Sequence, residues 1–230
     1  MKRKVGCVLL ILICVAMLPA CATLAGHPLT YSAEPIEGWV VDAETKQPLE
    51  GVVVTANWEL RGGASPGGST AIGQLMVLEA VTDKNGRFYF AAWGPIRQFK
   101  GELHNHDPKL VLFKSGYEYR ILSNKSRFDA EAVLEPVRRS QWSGKTIEIE
   151  RFKGTPREYA KRISSLMIDI RFIEDDCYWK QTPRMILELQ HQRQLFESSG
   201  IVVAIYSVDY LPTDKLKCGS PKEYFRKYRP

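Results

Sequence analysis

The stretch Thr82-Asp83-Lys84-Asn85-Gly86-Arg87-Phe88 decides the fold that the sequence predicts. Asn85 and Gly86 lie between two segments rich in β-forming residues, and an Asn-Gly pair tolerates the positive φ angles that a tight hairpin turn requires. The stretch therefore predicts two antiparallel strands, Gln74 to Thr82 and Arg87 to Ala92, joined by this turn.

Further short strands are predicted on both sides of the hairpin. Ile36 to Val41 and Val52 to Trp58 are rich in β-branched residues, and a turn-forming segment separates them. Arg61 to Gly73 contains five glycines and is predicted to be a mobile loop that connects the strands of a long hairpin. Later strands are predicted at Lys109 to Lys114, Glu118 to Leu122 and Lys145 to Arg151. Short strands separated by turns are typical of an antiparallel sandwich.

Four short motifs follow one another in the order of a known domain family. They are Ile36-x-Gly38-x-Val40-x-Asp42, Pro48-Leu49-x-Gly51-Val52-x-Val54, Thr82-Asp83-x-x-Gly86-x-Phe88 and Leu110-x-x-Phe113-Lys114-x-Gly116-Tyr117. Together they resemble the carboxypeptidase regulatory-like domain, a small transthyretin-like (prealbumin-type) sandwich found in many exported bacterial proteins. The resemblance implies this fold for residues 36–151. It implies no carboxypeptidase activity, because the family's regulatory-like domain is separate from its catalytic domain.

The pattern becomes helical in residues 152–230. Thr155-Pro156-Arg157-Glu158 has the form of a capping box. Apolar residues then recur at helical spacing at Tyr159, Ile163, Leu166, Met167 and Ile170. Thr182-Pro183 begins a second helix that ends before Gly200, with inward residues Met185, Ile186, Leu189 and Phe196. Ile201 to Tyr206 is predicted as a last strand. The predicted fold class is mainly β, a prealbumin-like antiparallel β-sandwich with an α-helical C-terminal extension.

Residues 1–20 have the order of a secretory signal peptide. An apolar run from Val8 to Met17 follows the basic residues Lys2 to Lys4 and is too short to span a bilayer. Leu18-Pro19-Ala20-Cys21 closes this run and resembles the lipobox of bacterial lipoproteins. The resemblance implies cleavage before Cys21, acylation of Cys21 and attachment to a lipid bilayer. Residues 21–35 are then predicted to be a lipidated tether.

The predicted location is the cell envelope. Ala22, rather than Asp, follows the cysteine, which in Gram-negative lipoproteins implies the outer membrane, facing the periplasm; a Gram-positive host has no such choice. Cleavage leaves 210 of the 230 residues and lowers the net charge from +6 to +3, because three basic residues are removed. This charge, without an uninterrupted Lys/Arg run, disfavours a nucleic-acid partner.

Cys177 and Cys218 are the cysteines that remain once Cys7 and Cys14 leave with the signal peptide and Cys21 is acylated. An even pair in an oxidising compartment predicts a structural disulfide. The alternatives are two separate buried thiols and a redox or metal pair. The pair has no Cys-x-x-Cys spacing and no nearby histidine, which disfavours the last alternative.

His104-Asn105-His106-Asp107 is the segment with the most evident chemistry. Histidines at positions i and i+2 of a strand project from the same side, and together with Asp107 they can bind a divalent metal. A metal site needs further ligands, and neither His27 nor His191 has a recognisable spacing to this pair. The segment precedes Pro108 between two predicted strands. We therefore predict an exposed loop, with no metal and no cofactor.

The sequence contains no short motif of nucleophilic catalysis. Asp175-Asp176 is interpreted as a solvated pair between helices. The transthyretin-like fold also includes 5-hydroxyisourate hydrolases, but Trp39 takes the place of that family's histidine. The chain ends in Tyr228-Arg229-Pro230 rather than in that family's Tyr-Arg-Gly-Ser tail. We therefore predict no catalytic residue and no enzymatic activity.

The predicted function is that of a membrane-anchored envelope lipoprotein acting as a non-enzymatic binding or structural module. An envelope protein or a glycan is the expected partner, because sandwiches of this kind offer edge strands and loops to partners. Arg61 to Gly73 and His104 to Asp107 are the exposed candidates. The alternative is an envelope hydrolase or metal-dependent enzyme that uses the region of His104 and His106.

Overall fold

The computed structural model describes residues 29–65, 68–104, 106–125, 135–170, 177–211 and 218–228. The strands are β1 (Leu29–Ala33), β2 (Ile36–Asp42), β3 (Val53–Ser65), β4 (Gly68–Val81), β5 (Arg87–Phe90), β6 (Trp93–Gln98), β7 (Glu102–Leu103), β8 (Lys109–Phe113), β9 (Arg120–Leu122), β10 (Val137–Arg138) and β11 (Lys145–Ile149). The helices are α1 (Pro156–Asp169), α2 (Tyr178–Gln181), α3 (Pro183–Ser198) and α4 (Pro221–Arg226), with a 3-10 turn at Val208–Tyr210. The fold is mainly β with a helical C-terminal region, as predicted.

The strands form three sheets. Their orders are β10-β1-β6, β11-β2-β5 and β4-β3-β8-β9, and β7 also pairs with β3. The predicted hairpin of Gln74 to Thr82 with Arg87 to Ala92 is wrong, because β4 pairs with β3 and β5 pairs with β2, so the Asn85-Gly86 turn connects two sheets. The predicted all-antiparallel arrangement is also wrong at two places, since β10 on β1 and β11 on β2 are parallel pairs. A parallel pair needs a long connection between its strands, and the period-2 pattern of a strand does not encode the direction of its partner.

Strand β8 separates two hydrophobic cores, because successive side chains of a strand point to opposite faces. Leu110 and Leu112 belong to a core shared with β1, β2, β5 and β11. Val111 and Phe113 belong to a second core that contains the buried residues of α1 and α3. The helical region therefore packs on the face of the β3–β8 sheet that lies opposite the other two sheets.

Both long helices begin as the sequence predicts. At α1, the Thr155 hydroxyl accepts a hydrogen bond from the Glu158 N–H, and the Glu158 carboxylate accepts one from the Thr155 N–H at 2.7 Å. At α3, the carboxylate of Glu79 on β4 accepts the N–H groups of Arg184 and Met185, both at 2.8 Å. Glu79 thus joins the sheet to the helix N-terminus, where unpaired N–H groups require an acceptor.

A disulfide bond joins Cys177, just before α2, to Cys218, just before α4. Their Cα atoms lie 5.4 Å apart, within the usual range for such bonds. The predicted disulfide is confirmed. It closes a sequence separation of 41 residues, for which the chain-entropy model gives a stabilisation of about 4 kcal/mol.

Two segments adopt other structures than predicted. The predicted loop Arg61 to Gly73 is wrong over most of its length, because residues 61–65 and 68–73 extend β3 and β4. Gly62 permits this extension, since a Cβ atom there would lie 2.8 Å from Cδ1 of Ile72. The predicted last strand, Ile201 to Tyr206, is irregular. Its first residue donates its N–H to the Phe196 carbonyl and so ends α3.

The N-terminal predictions fall largely outside the described residues. The signal peptide, Cys21 and His27 precede Leu29, and Asp175-Asp176 also lies outside the described ranges. Residues 29–33 of the predicted tether form β1, so this part of the segment belongs to a sheet. In the part of the chain that the structure describes, no helix is both long and apolar enough to span a membrane.

Replacing Gly86 by Ala tests the turn that decides the fold. Gly86 has φ +72°, and a Cβ atom there would lie 2.4 Å from the Val40 carbonyl oxygen. Gly144 has a similar φ of +75°, but an added Cβ would meet no atom of the described residues within 4 Å. Gly144→Ala is expected to lower the free energy of unfolding by about 1 kcal/mol.

Gly86→Ala is expected to lower the free energy of unfolding by about 3 kcal/mol, because a clash with backbone adds to the same φ strain. Urea unfolding of the two variants measures the difference. Equal losses would contradict the close approach of Gly86 to strand β2.

Candidate functional site

The segment with His104, His106 and Asp107, here called the His corner, connects β7 to β8 along strand β3. Leu103 of β7 pairs with Leu60, and Lys109 of β8 pairs with Asn57. The chain therefore pairs with β3 up to Leu60, is unpaired opposite Trp58 and Glu59, and pairs with β3 again from Asn57. The histidines lie in this connection rather than in a strand, and Asn105 lies outside the described residues.

Asp107 is the structural centre of the His corner. Its side chain is buried, so the prediction of an exposed loop is wrong for this residue. Its carboxylate accepts the N–H of His104 at 3.1 Å and the backbone N–H of Glu59. The Asp107 carboxylate thus accepts the Glu59 N–H of β3, which the carbonyl group of an uninterrupted neighbouring strand would otherwise accept. Burial raises the pKa of Asp107 to about 7, although these bonds and Arg138 act to lower it.

The two imidazole rings are stacked. Their centroids lie 4.3 Å apart with an angle of 2° between the planes, and both side chains are half-buried. The N–H of His106 donates to Nδ1 of His104 at 3.4 Å. Neutral His104 therefore carries its proton on Nε2. Burial, followed by the charges of His106, Arg61 and Arg138, lowers the pKa of His104 and favours this neutral form.

His106 has the opposite tautomer. Its Nδ1 lies 3.2 Å from the carbonyl oxygen of Asn124, which can only accept, so Nδ1 carries the proton. Nε2 of neutral His106 is then an acceptor, whereas Nε2 of His104 is a donor. The stacked pair combines one hydrogen-bond donor and one acceptor, which suits a polar ligand such as a hydroxyl or an amide.

Asn124 attaches the His corner to the segment that follows β9. Its Nδ2 donates to the carbonyl oxygens of Asp107 at 2.7 Å and Arg139 at 2.8 Å. Its Oδ1 accepts the N–H of Gln141, and its own N–H donates to the carbonyl of His106. A buried side-chain amide with these bonds holds the loop in one conformation.

Arg138 and Tyr31 hold the other end of the His corner. A terminal nitrogen of Arg138 donates to the Leu103 carbonyl at 3.1 Å, and its guanidinium carbon lies 5.1 Å from the centre of the Tyr31 ring. The Tyr31 hydroxyl accepts the N–H of Leu103 at 3.3 Å. Sequence reasoning missed Tyr31, Asn124 and Arg138, because they are distant along the chain and form no motif with the histidines.

The His corner does not bring together a set of metal ligands. Among the described residues, no group of three or more His, Cys, Asp or Glu side chains is arranged to hold a metal ion. The Asp107 carboxylate is engaged by backbone N–H groups instead of joining the imidazoles. His191 is exposed on α3 and does not contribute to the corner.

Comparisons with known proteins leave the family of the chain open. No family model matches the chain, and no curated protein matches it. Solved structures that match include 3-chlorocatechol 1,2-dioxygenase from Rhodococcus opacus 1CP, with 16% identity over 54% of this chain and a TM-score of 0.33. The match spans 62% of that enzyme, which is less than two thirds of its length.

Two further dioxygenase structures match at a similar level. Chlorocatechol 1,2-dioxygenase from Pseudomonas putida is 13% identical over 57% of this chain and 69% of its own, with a TM-score of 0.29. The dioxygenase domain of a dioxygenase carbohydrate-binding protein fusion from Streptomyces sp. SirexAA-E is 14% identical over 58% of this chain and 86% of its own, also with a TM-score of 0.29.

These matches correct the prediction that the chain has no enzymatic activity, since the matched structures are enzymes. That prediction depended on the lack of short catalytic motifs. A catalytic site assembled from residues that are distant along the chain leaves no such motif in a sequence. At these TM-scores, the matches assign no reaction and no catalytic residue to the chain.

Replacing Asp107 by Asn tests the buried carboxyl group. The pKa of Asp107 is raised from 3.8 to about 7 in the folded chain. Between these two pH values, Asp107 is therefore protonated in the folded chain and ionised in the unfolded chain. The stability of the wild type therefore falls as the pH rises through this range. The contribution amounts to several kcal/mol, since one pKa unit corresponds to about 1.4 kcal/mol.

The Asp107→Asn variant is expected to lose this pH dependence, although the loss of one backbone hydrogen bond lowers its stability at every pH. His104 has a lowered pKa and contributes in the opposite direction, and it is present in both proteins. Urea unfolding between pH 4 and pH 7 measures the two slopes. Parallel pH profiles for both proteins would contradict a raised pKa at Asp107.

Proposed function

We propose that the chain is a lipid-anchored lipoprotein of the bacterial cell envelope that binds an envelope protein or glycan. The observation that carries this proposal is the Cys177–Cys218 disulfide. Such bonds form in oxidising compartments and are rare in the cytosol, so the disulfide supports export independently of the N-terminal sequence. The signal-like order that ends at Cys21 supplies the export route and the anchor.

The transthyretin-like architecture of residues 36–151 is part of this proposal. Strands β3 and β8 pack one face against β1, β2 and β5, which is the packing expected of a sandwich. The four sequence motifs that resemble the carboxypeptidase regulatory-like domain lie in this region. The two parallel edge pairs are additions to the antiparallel core of such a domain.

The His corner is the binding surface that we favour. Its histidines are half-buried, with the His106 ring bonded to Asn124 and the His104 ring bonded to the His106 N–H, so their polar atoms are presented with little loss of side-chain freedom on binding. A neighbouring donor and acceptor match the hydroxyl groups of a glycan or the amide groups of a peptide. This chemistry agrees with a partner in the envelope, where both classes are present.

The anchor is tested by the Cys21→Ala variant. Because the acyl chains are attached to this cysteine, the variant is expected to lose metabolic labelling with palmitate, and any chain that is still cleaved is expected to leave the membrane fraction. Cys177→Ser is the matched control, since it removes a cysteine from the disulfide and leaves the anchor intact. Palmitate labelling that persists in Cys21→Ala would contradict the proposed anchor.

A second candidate is a metal-dependent enzyme or hydrolase that uses His104 and His106. The observation that favours it is the bond from Nδ1 of His106 to the Asn124 carbonyl, because metal-binding histidines are commonly oriented by such a bond at the opposite nitrogen. A metal at this pair would need a change of tautomer at His104, whose Nδ1 accepts the His106 N–H.

The double variant His104→Ala/His106→Ala separates the two candidates, with His191→Ala as the control on an exposed helix position. We expect crosslinked envelopes to yield a partner with the wild type and the control, and severalfold less of it with the double variant. Metal analysis of the same purified proteins is the second measurement. A stoichiometric metal that only the double variant lacks would favour the enzyme, and equal capture by all three proteins would contradict binding at the His corner.

A further inference from the structure

The described chain begins at one end of the β1–β6 pair. Leu29, the first residue of β1, is the register partner of Gln98, the last residue of β6. Since the strands are antiparallel, the chain towards Cys21 leaves Leu29 at the same end of the pair at which Phe99 and Lys100 follow Gln98. The Cα atoms of Leu29 and Phe99 are within about 10 Å of each other by strand geometry.

Phe99 is an exposed aromatic side chain at this end, here called the Phe99 end. It is 76% exposed, so most of its ring is in contact with solvent in the isolated chain. Arg97 and Lys100 are also exposed and lie on either side of it in the sequence. An exposed ring between two cations has the chemistry to contact lipid headgroups, because the ring can enter the interface while the cations meet phosphate.

The length of the anchor places the Phe99 end near the membrane. Eight residue steps separate Cys21 from Leu29 and span at most about 29 Å when fully extended. An acylated Cys21 lies at the bilayer, so Leu29 and the neighbouring Phe99 cannot be farther away than this. We infer that the Phe99 end faces the bilayer, with Phe99 in the headgroup region and Arg97 and Lys100 on anionic phosphates. This inference depends on the lipid anchor of the proposed function.

The extended β3–β4 hairpin lies at the same end, together with Gly101 to Leu103, the residues that lead to the His corner. A Cβ atom at Gly101 would lie 2.6 Å from Cδ1 of Ile72 and 2.8 Å from the Arg61 carbonyl oxygen, so the hairpin lies directly against the Phe99 segment. Glu102, the acidic residue that follows, is the register partner of Arg61. Arg61, Arg97 and Lys100 outnumber Glu102 in this region, which leaves a net positive charge to attract an anionic surface.

A bilayer-facing Phe99 end has a consequence for binding at the His corner. Leu103 lies four residues after Phe99 and contacts the Tyr31 hydroxyl, two residues after Leu29. The corner is thus within a short distance of the chain's exit towards the membrane. A partner of the His corner therefore binds close to the lipid surface rather than in the open periplasm.

The test compares single-cysteine labels on the acylated full chain. With Cys21 acylated and Cys177 joined to Cys218, a Phe99→Cys variant has one free thiol for the environment-sensitive dye NBD. Val202→Cys is the matched control, because Val202 is 96% exposed and lies in the helical region that follows α3. Both proteins are reconstituted in phosphatidylethanolamine–phosphatidylglycerol vesicles with brominated acyl chains, which quench only dyes at the bilayer.

Severalfold stronger quenching at position 99 than at position 202 is the expected result. Arg97→Gln/Lys100→Gln in the Phe99→Cys protein is expected to weaken this quenching, and to have no effect in vesicles of phosphatidylcholine alone. Equal quenching at the two positions, in protein that floats with the vesicles, would overturn the inference and leave the anchor standing. A dye at position 99 that is shielded in native envelopes but not quenched by bromolipid would point to a protein partner and overturn it too. Failure to float would contradict the anchor itself, and the inference with it.

Discussion

Alternation along β3 and β8 is the constraint on which the rest of the structure depends. One face of these strands presents Val54 and Leu112 to the other two sheets, and the opposite face presents Val53 and Phe113 to the helices. A shift by one residue would exchange the two faces and place every one of these side chains in the other core. Because both faces are apolar, the sheet requires a cover on each side, and the helical region of residues 152–230 is one of these covers. The sandwich and the helices consequently share a sheet and are expected to unfold together.

The covering helices pack on the sheet through a buried apolar core, and contacts between distant residues add to this packing. Glu79 on β4 supplies the N-terminal acceptor of α3, and the disulfide joins the start of α2 to the start of α4. Burial raises the pKa of Glu79 to about 7, against the lowering effect of the two N–H groups and Arg184. The Glu79 contact is therefore a partly buried polar link that adds to the apolar packing between sheet and helix, whereas the disulfide is a covalent link within the helical region.

Features encoded by neighbouring residues could be predicted from the sequence. The Asn85-Gly86 turn and the Thr155–Glu158 capping box depend on side chains within four positions, and both are present in the structure. The pairing of the strands that flank the turn could not be predicted, since each of them pairs with a strand elsewhere in the chain. The disulfide followed from counting the cysteines of an exported chain. The parallel partners of β1 and β2 could not be predicted, since strand patterning carries no direction. The bonds of Arg138 and Asn124 to the His corner were also missed, because they join residues 17 to 35 positions apart without a shared motif.

The central claim is that the chain is exported, cleaved, acylated at Cys21 and oxidised at Cys177 and Cys218. Intact mass spectrometry of the protein extracted from membranes tests all four steps in one measurement. The account predicts the mass of residues 21–230 plus acyl groups, with no thiol available to an alkylating reagent until a reductant is added. The mass of the whole unmodified chain, or alkylation of Cys177 and Cys218 without reductant, would contradict it.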